Sequence, residues 1–265
     1  MPAAIACLPW YDFRELQPYS DGLWQRVRAA LMDRLAFQLP VQLDRSLRCE
    51  DQWQHPELVL GQACGYDAIL PWRHALRVVA APHFDLPGCE GYHYRSHVVV
   101  RSGSRCRTLA DLRGGSCAIN SPTSHSGMNA LRTAVAPLAR EGKFFSAVEV
   151  SGAHETSVAW VGDGRVEVAA VDCVTYALLG RYRPGSIAEL RILYTTPLAP
   201  APPFVTRASA SDEMVASLRA ALATALPDPA LGLVGVEPVE VTNYQPIADL
   251  EIRARALGYT ELPGQ

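Results

Sequence analysis

Three stretches of this chain share one pattern, in which a short apolar run leads through a polar turn into a segment of helical spacing. The apolar runs cover residues 116–119, 147–150 and 166–171, and the helical segments follow at 127–135, 154–161 and 174–180. Such alternation predicts an α/β fold, with strands of a parallel sheet covered by helices. Ligand sites of these sheets lie at the carboxyl ends of the strands. The polar residues after the three runs are therefore the first candidates for a functional site.

The two ends of the chain continue the alternation. The elements we predict there are a strand at 3–8, a helix capped by Ser20 with Leu23, Trp24, Val27, Leu31 and Leu35 on one face, strands at 58–62 and 77–81, a helix capped by Ser211, and a last helix starting at Pro246. We interpret the chain as two lobes, one formed by 1–96 with 195–265 and the other by 97–194. Each lobe is predicted to be a mostly parallel sheet covered by helices, with a ligand cleft between the lobes.

Composition narrows the function classes. Of the 265 residues, 49% are hydrophobic and 19% charged, which is typical of a globular protein. The net charge is −3 and the arginines are scattered, so we expect no nucleic-acid partner. No apolar run reaches 18 residues, so we expect no membrane insertion.

The seven cysteines form no CxxC pair and are odd in number, so we expect neither a disulfide framework nor a metal site, and no cofactor. Buried thiols in a reducing compartment are the favoured interpretation. Residues 1–12 lack a basic segment followed by a long apolar core, so we expect no signal peptide within this chain. Two possibilities then stay open: a signal removed from this chain, or a protein that stays in the cytoplasm.

The segment at residues 120–127 is the most informative candidate site. It follows an apolar run and opens a helix, whose first N–H groups lack intrahelical partners and carry the positive end of the dipole. The hydroxyls of Ser124 and Ser126, with the N–H groups of Ser126 and Gly127, can surround an oxyanion, and Gly127 lets the ligand approach the backbone closely. The alternative is a serine cap without a ligand. The spacing of a P-loop is absent, which disfavours a nucleotide.

Four further residues complete the candidate set. His154 opens the next predicted helix and can donate a hydrogen bond to an anion, although it can equally be a capped loop histidine. Asp172 ends an apolar strand and can accept from a ligand or cap the next helix. Tyr66 and Tyr94 can add hydroxyl donors, or simply pack in the core.

The ordered set of these segments resembles a known family. The matching segments read LeuGlyGlnAlaCysGlyTyr at 60–66, TyrArgSerHisValValValArg at 94–101, AlaAspLeuArgGly at 110–114, SerHisSerGly at 124–127, SerGlyAlaHis at 151–154 and AlaAlaValAsp at 169–172. In this order they resemble the phosphate, phosphite and phosphonate substrate-binding proteins of ABC transporters, which have the type 2 periplasmic-binding-protein fold.

The resemblance implies a role for most of the candidates. It implies that Ser124, His125 and Ser126 hold the anion, that His154 and Tyr66 join them, and that Asp172 lines the side of the substituent. It also implies closure of the lobes over the ligand, an ABC permease as partner and a periplasmic location. His125 departs from the family pattern, because a smaller hydroxyl residue is common at that position.

Three functions are compatible with these residues. The first is a non-catalytic solute-binding protein for a small tetrahedral oxyanion, associated with ABC-type uptake. The second is a cytoplasmic anion-sensing or accessory protein of the same fold, suggested by the thiols and the missing signal. The third is a hydrolase using Ser126 with His154 and Asp172, which is disfavoured because no GxSxG elbow occurs. We therefore expect no enzymatic activity.

Overall fold

The computed structural model describes residues 2–32, 34, 38–260 and 262. The described strands are β1 (Ile5–Ala6), β2 (Leu58–Gln62), β3 (Leu76–Phe84), β4 (His93–Tyr94), β5 (Ser96–Arg101), β6 (Ser116–Ile119), β7 (Ala147–Val150), β8 (Val168–Asp172), β9 (Leu190–Thr195), β10 (Ala199–Pro200), β11 (Phe204–Arg207) and β12 (Leu233–Glu237). The described α-helices are α1 (Gln17–Met32), α2 (Cys49–Trp53), α3 (Gly65–Ile69), α4 (Ala130–Val135), α5 (His154–Gly162), α6 (Cys173–Tyr182), α7 (Asp212–Ala225) and α8 (Gln245–Ala256).

Shorter helical turns complete the element list. Turns of 3₁₀ type cover Leu109–Leu112, Ala136–Leu138, Pro184–Ser186 and Val241–Tyr244, and a π turn covers His125–Asn129. The π turn, α4 and the 3₁₀ turn after it follow one another without a break, so residues 125–138 form one helical segment. No helix in the described ranges is long and apolar enough to cross a membrane.

The chain divides into two units. Unit 1 contains Met1–Asp85, Glu90–His93 and Pro200–Tyr244, whereas unit 2 contains Leu86–Cys89, Tyr94–Ala199 and Gln245–Gln265. Each unit has its own five-stranded sheet, in the order β1-β2-β11-β3-β12 for unit 1 and β7-β6-β8-β5-β9 for unit 2.

The sheet of unit 1 is covered by amphipathic helices. The buried side chains of α1 include Leu23, Trp24, Val27 and Leu31, and those of α7 include Met214, Leu218, Ala221 and Leu222. The two helices pack together, and Arg26 of α1 donates to the carbonyl of Ala225 at the end of α7, 2.9 Å away. A cation at this position suits the negative end of the helix dipole.

The sheet of unit 2 places three strand ends side by side. Strand β6 pairs in parallel with both β7 and β8, and β5 is antiparallel to β8 and β9. The strands β6 and β8 are buried almost throughout, which explains their continuous apolar runs. Because β7, β6 and β8 point the same way, the turns that follow them share one edge of the sheet.

The fold differs from the sequence-based expectation at three points. The sheet of unit 1 is mixed, since β11 is antiparallel to β2 and β3, and β12 is antiparallel to β3, whereas β1 and β2 are parallel. Ser20 lies inside α1 rather than capping it, and its hydroxyl is 3.4 Å from the carbonyl of Leu16. Leu35 lies outside the described residues.

The third difference concerns the end of the chain. The predicted boundaries, 1–96 with 195–265 and 97–194, put the last helix in the first lobe, but α8 packs in unit 2. Its backbone carbonyls accept hydrogen bonds from the 125–138 segment: Ile247 from Asn129 at 3.0 Å and Leu250 from Thr133 at 3.3 Å. Local pattern cannot show this, because both contacts join residues more than 110 positions apart.

Candidate functional site

Three helical segments begin at the shared strand edge of unit 2. The 125–138 segment follows β6, α5 follows β7, and α6 follows β8 directly. Each helix start presents N–H groups that have no partner within the helix, together with the positive end of the dipole. This edge therefore favours a negatively charged group.

Ser124 caps the first of these segments. Its Oγ accepts a hydrogen bond from the N–H of Gly127 at 3.0 Å, and its carbonyl accepts from the N–H of Asn129 at 2.9 Å. The capping interpretation of Ser124 is therefore correct. A hydroxyl that accepts from the backbone still has its own hydrogen to donate, so capping and anion binding are compatible.

Ser126 and His154 form the central polar pair of this edge. Ser126 Oγ lies 2.8 Å from His154 Nε2, and Asp172 Oδ2 lies 3.4 Å from the same nitrogen. The side chains of His154 and Asp172 are 12% and 4% exposed. Burial lowers the pKa of His154, and the carboxylate of Asp172 and the carbonyl of Ala170 partly oppose this shift. The lowered pKa favours the neutral form of the imidazole at pH 7.

The arrangement of these three residues differs from that of a hydrolase. In a Ser-His-Asp triad the serine and the aspartate contact opposite nitrogens of the ring, so that the aspartate orients the base. Here Ser126 Oγ and Asp172 Oδ2 both face Nε2. The aspartate is thus not placed to orient the imidazole as a base for Ser126.

Asp172 is also a helix cap. Its Oδ1 accepts from the N–H of Thr175 at 2.8 Å, and its Oδ2 accepts from the hydroxyl of Thr175 at 2.6 Å. Asp172 is therefore the cap of α6 and a neighbour of His154 at the same time. The sequence-based candidates did not include Thr175, which lies three residues after the capping aspartate, where a cap accepts a backbone N–H.

His125 is buried and packs inside unit 2. Asn129 Oδ1 accepts from Arg132 at 2.7 Å, so Nδ2 is the donor that faces His125 Nδ1 at 3.3 Å. The remaining ring proton then lies on Nε2. Burial lowers the pKa of His125 to about 4. The ring is thus a neutral, packed group, and its centroid lies 6.1 Å from that of the buried Tyr94.

Gly127 makes room for protein side chains. A Cβ at this position would lie 1.9 Å from Asn120 Oδ1 and 3.1 Å from His154 Cε1. The space beside Gly127 is therefore occupied by the amide of Asn120, which was not among the sequence-based candidates. Its position directly after β6 is the signal that could have identified it.

The remaining candidate lies in the other unit. Tyr66 belongs to α3 of unit 1, is buried, and lies four residues after the end of strand β2. Seven of the eight candidates thus lie in unit 2, and five of them, Ser124, Ser126, Gly127, His154 and Asp172, cluster at the strand edge. Within the described part of the chain, no group of three or more His, Cys, Asp or Glu side chains could hold a metal ion.

The cluster contains the kinds of groups that anion sites use. It offers helix N–H groups, two serine hydroxyls and an imidazole, all of which donate hydrogen bonds to oxygen. The carboxylate of Asp172 beside them can accept from a hydroxyl, an amine or a protonated oxygen of the same ligand.

Comparison with known proteins identifies the family of this chain. Residues 73–249 match the family model for the periplasmic substrate-binding proteins of phosphonate ABC transporters. No curated protein sequence matches the chain significantly.

Solved structures show the same fold. A binding protein component of an ABC phosphonate transporter from Pseudomonas aeruginosa superposes with a TM-score of 0.73 at 17% identity, covering 97% of this chain and 88% of that one. A protein from Prochlorococcus marinus in complex with methylphosphonate has a TM-score of 0.70 at 15% identity, with coverages of 92% and 94%. A Xanthomonas citri protein bound to chloride has a TM-score of 0.64 at 16% identity, with coverages of 96% and 98%. The predicted α/β, type 2 periplasmic-binding-protein-like fold class is confirmed.

Proposed function

Since the chain belongs to the family of periplasmic substrate-binding proteins of phosphonate ABC transporters, we propose that it binds a phosphonate-like tetrahedral oxyanion at the strand edge of unit 2. The observation that carries this proposal is the 2.8 Å contact between Ser126 Oγ and His154 Nε2 at the start of two helices. Because the carboxylate of Asp172 faces the same nitrogen, we propose that Nε2 carries the ring proton and donates to Ser126, which leaves the hydroxyl hydrogen of Ser126 for the anion.

The surrounding groups support an anion rather than a neutral ligand. Two helix starts and the hydroxyl of Ser124 add donors on the same edge. The carboxylate of Asp172 would repel a fully ionised ligand oxygen, so we propose that it faces a donor on the ligand. A phosphonate with an amine or hydroxyl substituent, or a phosphite or phosphate that keeps a proton, has such a donor.

We propose a backbone contact for His125 and a packing role for Tyr94, and no role for Tyr66. His125 contributes its backbone N–H, because its ring is turned toward Asn129 and Tyr94. Tyr94 then supports the ring of His125 in place of contacting the ligand. Tyr66 and the predicted ligand cleft stay predictions.

Binding without chemistry is the favoured mode. The family is one of solute-binding proteins, and the shared use of Nε2 by Ser126 and Asp172 supports the absence of hydrolysis by this chain. Family membership supports an ABC-type permease as the partner and the periplasm as the location. A cytoplasmic anion sensor of the same fold is the alternative, and the seven thiols are the observation that favours it.

Isothermal titration calorimetry tests the proposal. Phosphate, phosphite, methylphosphonate and 2-aminoethylphosphonate are titrated into the ligand-free protein, with sulfate and nitrate as comparison anions. We expect a saturable heat with at least one phosphorus oxyanion. Ser126→Ala removes a donor to a charged group and should weaken binding by about 1–3 kcal/mol, or roughly 5- to 150-fold.

Ser102→Ala is the matched control, because Ser102 is an exposed serine of the same unit. It should leave the affinity unchanged. A folded, ligand-free protein that gives no heat with any phosphorus oxyanion would contradict the proposal. So would equal affinities of the Ser126→Ala and Ser102→Ala variants.

A further inference from the structure

Two cysteines lie in contact beside the candidate site. The Sγ atoms of Cys89 and Cys173 are 3.5 Å apart, although the residues are 84 positions apart in the chain. Both belong to unit 2. Cys173 is the first residue of α6 and directly follows Asp172, and it is fully buried, whereas Cys89 is half-buried.

The backbone around both cysteines is held in place. The N–H of Cys89 bonds to the carbonyl of Leu86 at 3.0 Å, and Gly88 has a φ of +95°, which closes a tight turn. Arg95 donates through Nε to the carbonyl of Gly88 at 3.1 Å and accepts through its own carbonyl from the N–H of Cys173 at 2.9 Å. Arg95 thus fixes the turn and the start of α6 against each other.

The two backbones are also close. A Cβ on Gly88 would lie 2.7 Å from the Cβ of Cys173, so only glycine lets the turn approach this far. A disulfide requires sulfurs about 2.05 Å apart. From their 3.5 Å separation, the two sulfurs need to approach by about 1.5 Å for the bond to form.

We propose that Cys89 and Cys173 form a reversible disulfide that links the 86–89 turn to the start of α6. The oxidant is a small-molecule or protein disulfide. The thiolate of Cys89, the more accessible partner, attacks one sulfur of that disulfide and releases a first thiol. Cys173 then attacks the mixed disulfide and releases the second. Two thiols become one disulfide, two electrons pass to the oxidant, and the protons end on the two released thiols.

The electrostatic surroundings set the rate of this exchange. The hydrogen bond with Cys173, burial and the nearby Asp172 carboxylate all raise the pKa of Cys89. Little thiolate is therefore present at neutral pH, and the exchange should become faster as the pH rises. In an oxidising compartment the bond would form, whereas a reducing compartment would keep the dithiol.

Thiol counting on the intact protein tests the proposal. The native protein is incubated with oxidised glutathione above neutral pH, denatured and alkylated, and its mass is measured. We expect five alkylated thiols where the reduced protein has seven, and peptide mapping should show Cys89 linked to Cys173. Cys106→Ser, which removes a half-buried cysteine elsewhere, should still lose two thiols on oxidation.

The Cys89→Ser variant should lose none, whereas Cys173→Ala should lose at most one, as a glutathione adduct on Cys89 that no second cysteine resolves. Either variant suffices if the other fails to fold. A wild-type protein that keeps all seven thiols, that stops at a glutathione adduct on Cys89, or that links a different pair would overturn the proposal. The outcome does not depend on which ligand the protein binds, so it is independent of the oxyanion titrations.

Discussion

Replacement of Gly127 by alanine is the sharpest test of how the site is built. The added Cβ would lie 1.9 Å from Asn120 Oδ1 and 2.9 Å from Asn120 Cγ, so the amide must move. The third neighbour, His154 Cε1 at 3.1 Å, needs to yield by only a few tenths of an ångström. The variant should therefore disturb Asn120 strongly and His154 slightly.

The magnitude follows from two opposing effects. Overpacking of a buried position costs about 1–3 kcal/mol. Alanine in place of a helical glycine contributes up to about 1 kcal/mol of stability. Gly127 lies in the π turn His125–Asn129 and is not among the glycines with positive φ, so its backbone conformation does not exclude alanine. We expect a net loss of up to about 3 kcal/mol, which corresponds to a fall in Tm of up to about 12 °C.

A second substitution separates the two effects. In an Asn120→Ala background the obstructing amide is absent, so Gly127→Ala should become neutral or stabilising. The coupling between the two substitutions should therefore be about 1–3 kcal/mol. Scanning calorimetry of the wild type, both single variants and the double variant measures it. If Gly127→Ala lowers Tm equally in both backgrounds, the contact with Asn120 is not what the glycine accommodates.

Two further predictions concern stability. The pKa of His125 falls from 6.5 in the unfolded chain to about 4 in the folded protein. Between these values the unfolded chain binds a proton that the folded protein does not bind. The stability that is present above pH 6.5 is therefore lost as the pH falls toward 4, by on the order of 3 kcal/mol. His125→Gln should flatten the Tm profile over this range, and parallel profiles would contradict the assignment. In α8, Ile247 is fully buried and Ile252 is 60% exposed. Ile247→Ala should therefore lower the free energy of unfolding by about 2–5 kcal/mol. Ile252→Ala should leave it within about 0.5 kcal/mol of the wild-type value, as measured by calorimetry. Equal effects would mean that α8 does not pack on unit 2 as described.

The sequence by itself determined the local elements and their order. Apolar runs followed by polar turns identified β6, β7 and β8, and Ser211 capped α7 as predicted, with its Oγ 3.1 Å from the N–H of Met214. These signals are readable because strand periodicity and helix caps depend on neighbouring residues. The same local order places Ser124, His154 and Asp172 at strand ends, and the family resemblance rests on it.

Tertiary structure decided how those residues meet. The turn after β6 and the start of α5 bring Ser126 and His154 together across 28 positions, and packing turns the ring of His125 toward Asn129. It also placed α8 in unit 2 and gave the sheet of unit 1 its antiparallel strands. These features depend on contacts between distant segments, whose free energy comes from burying surfaces that no local pattern specifies. The strand edge was therefore predictable from the sequence, but the pairing of side chains along it was not.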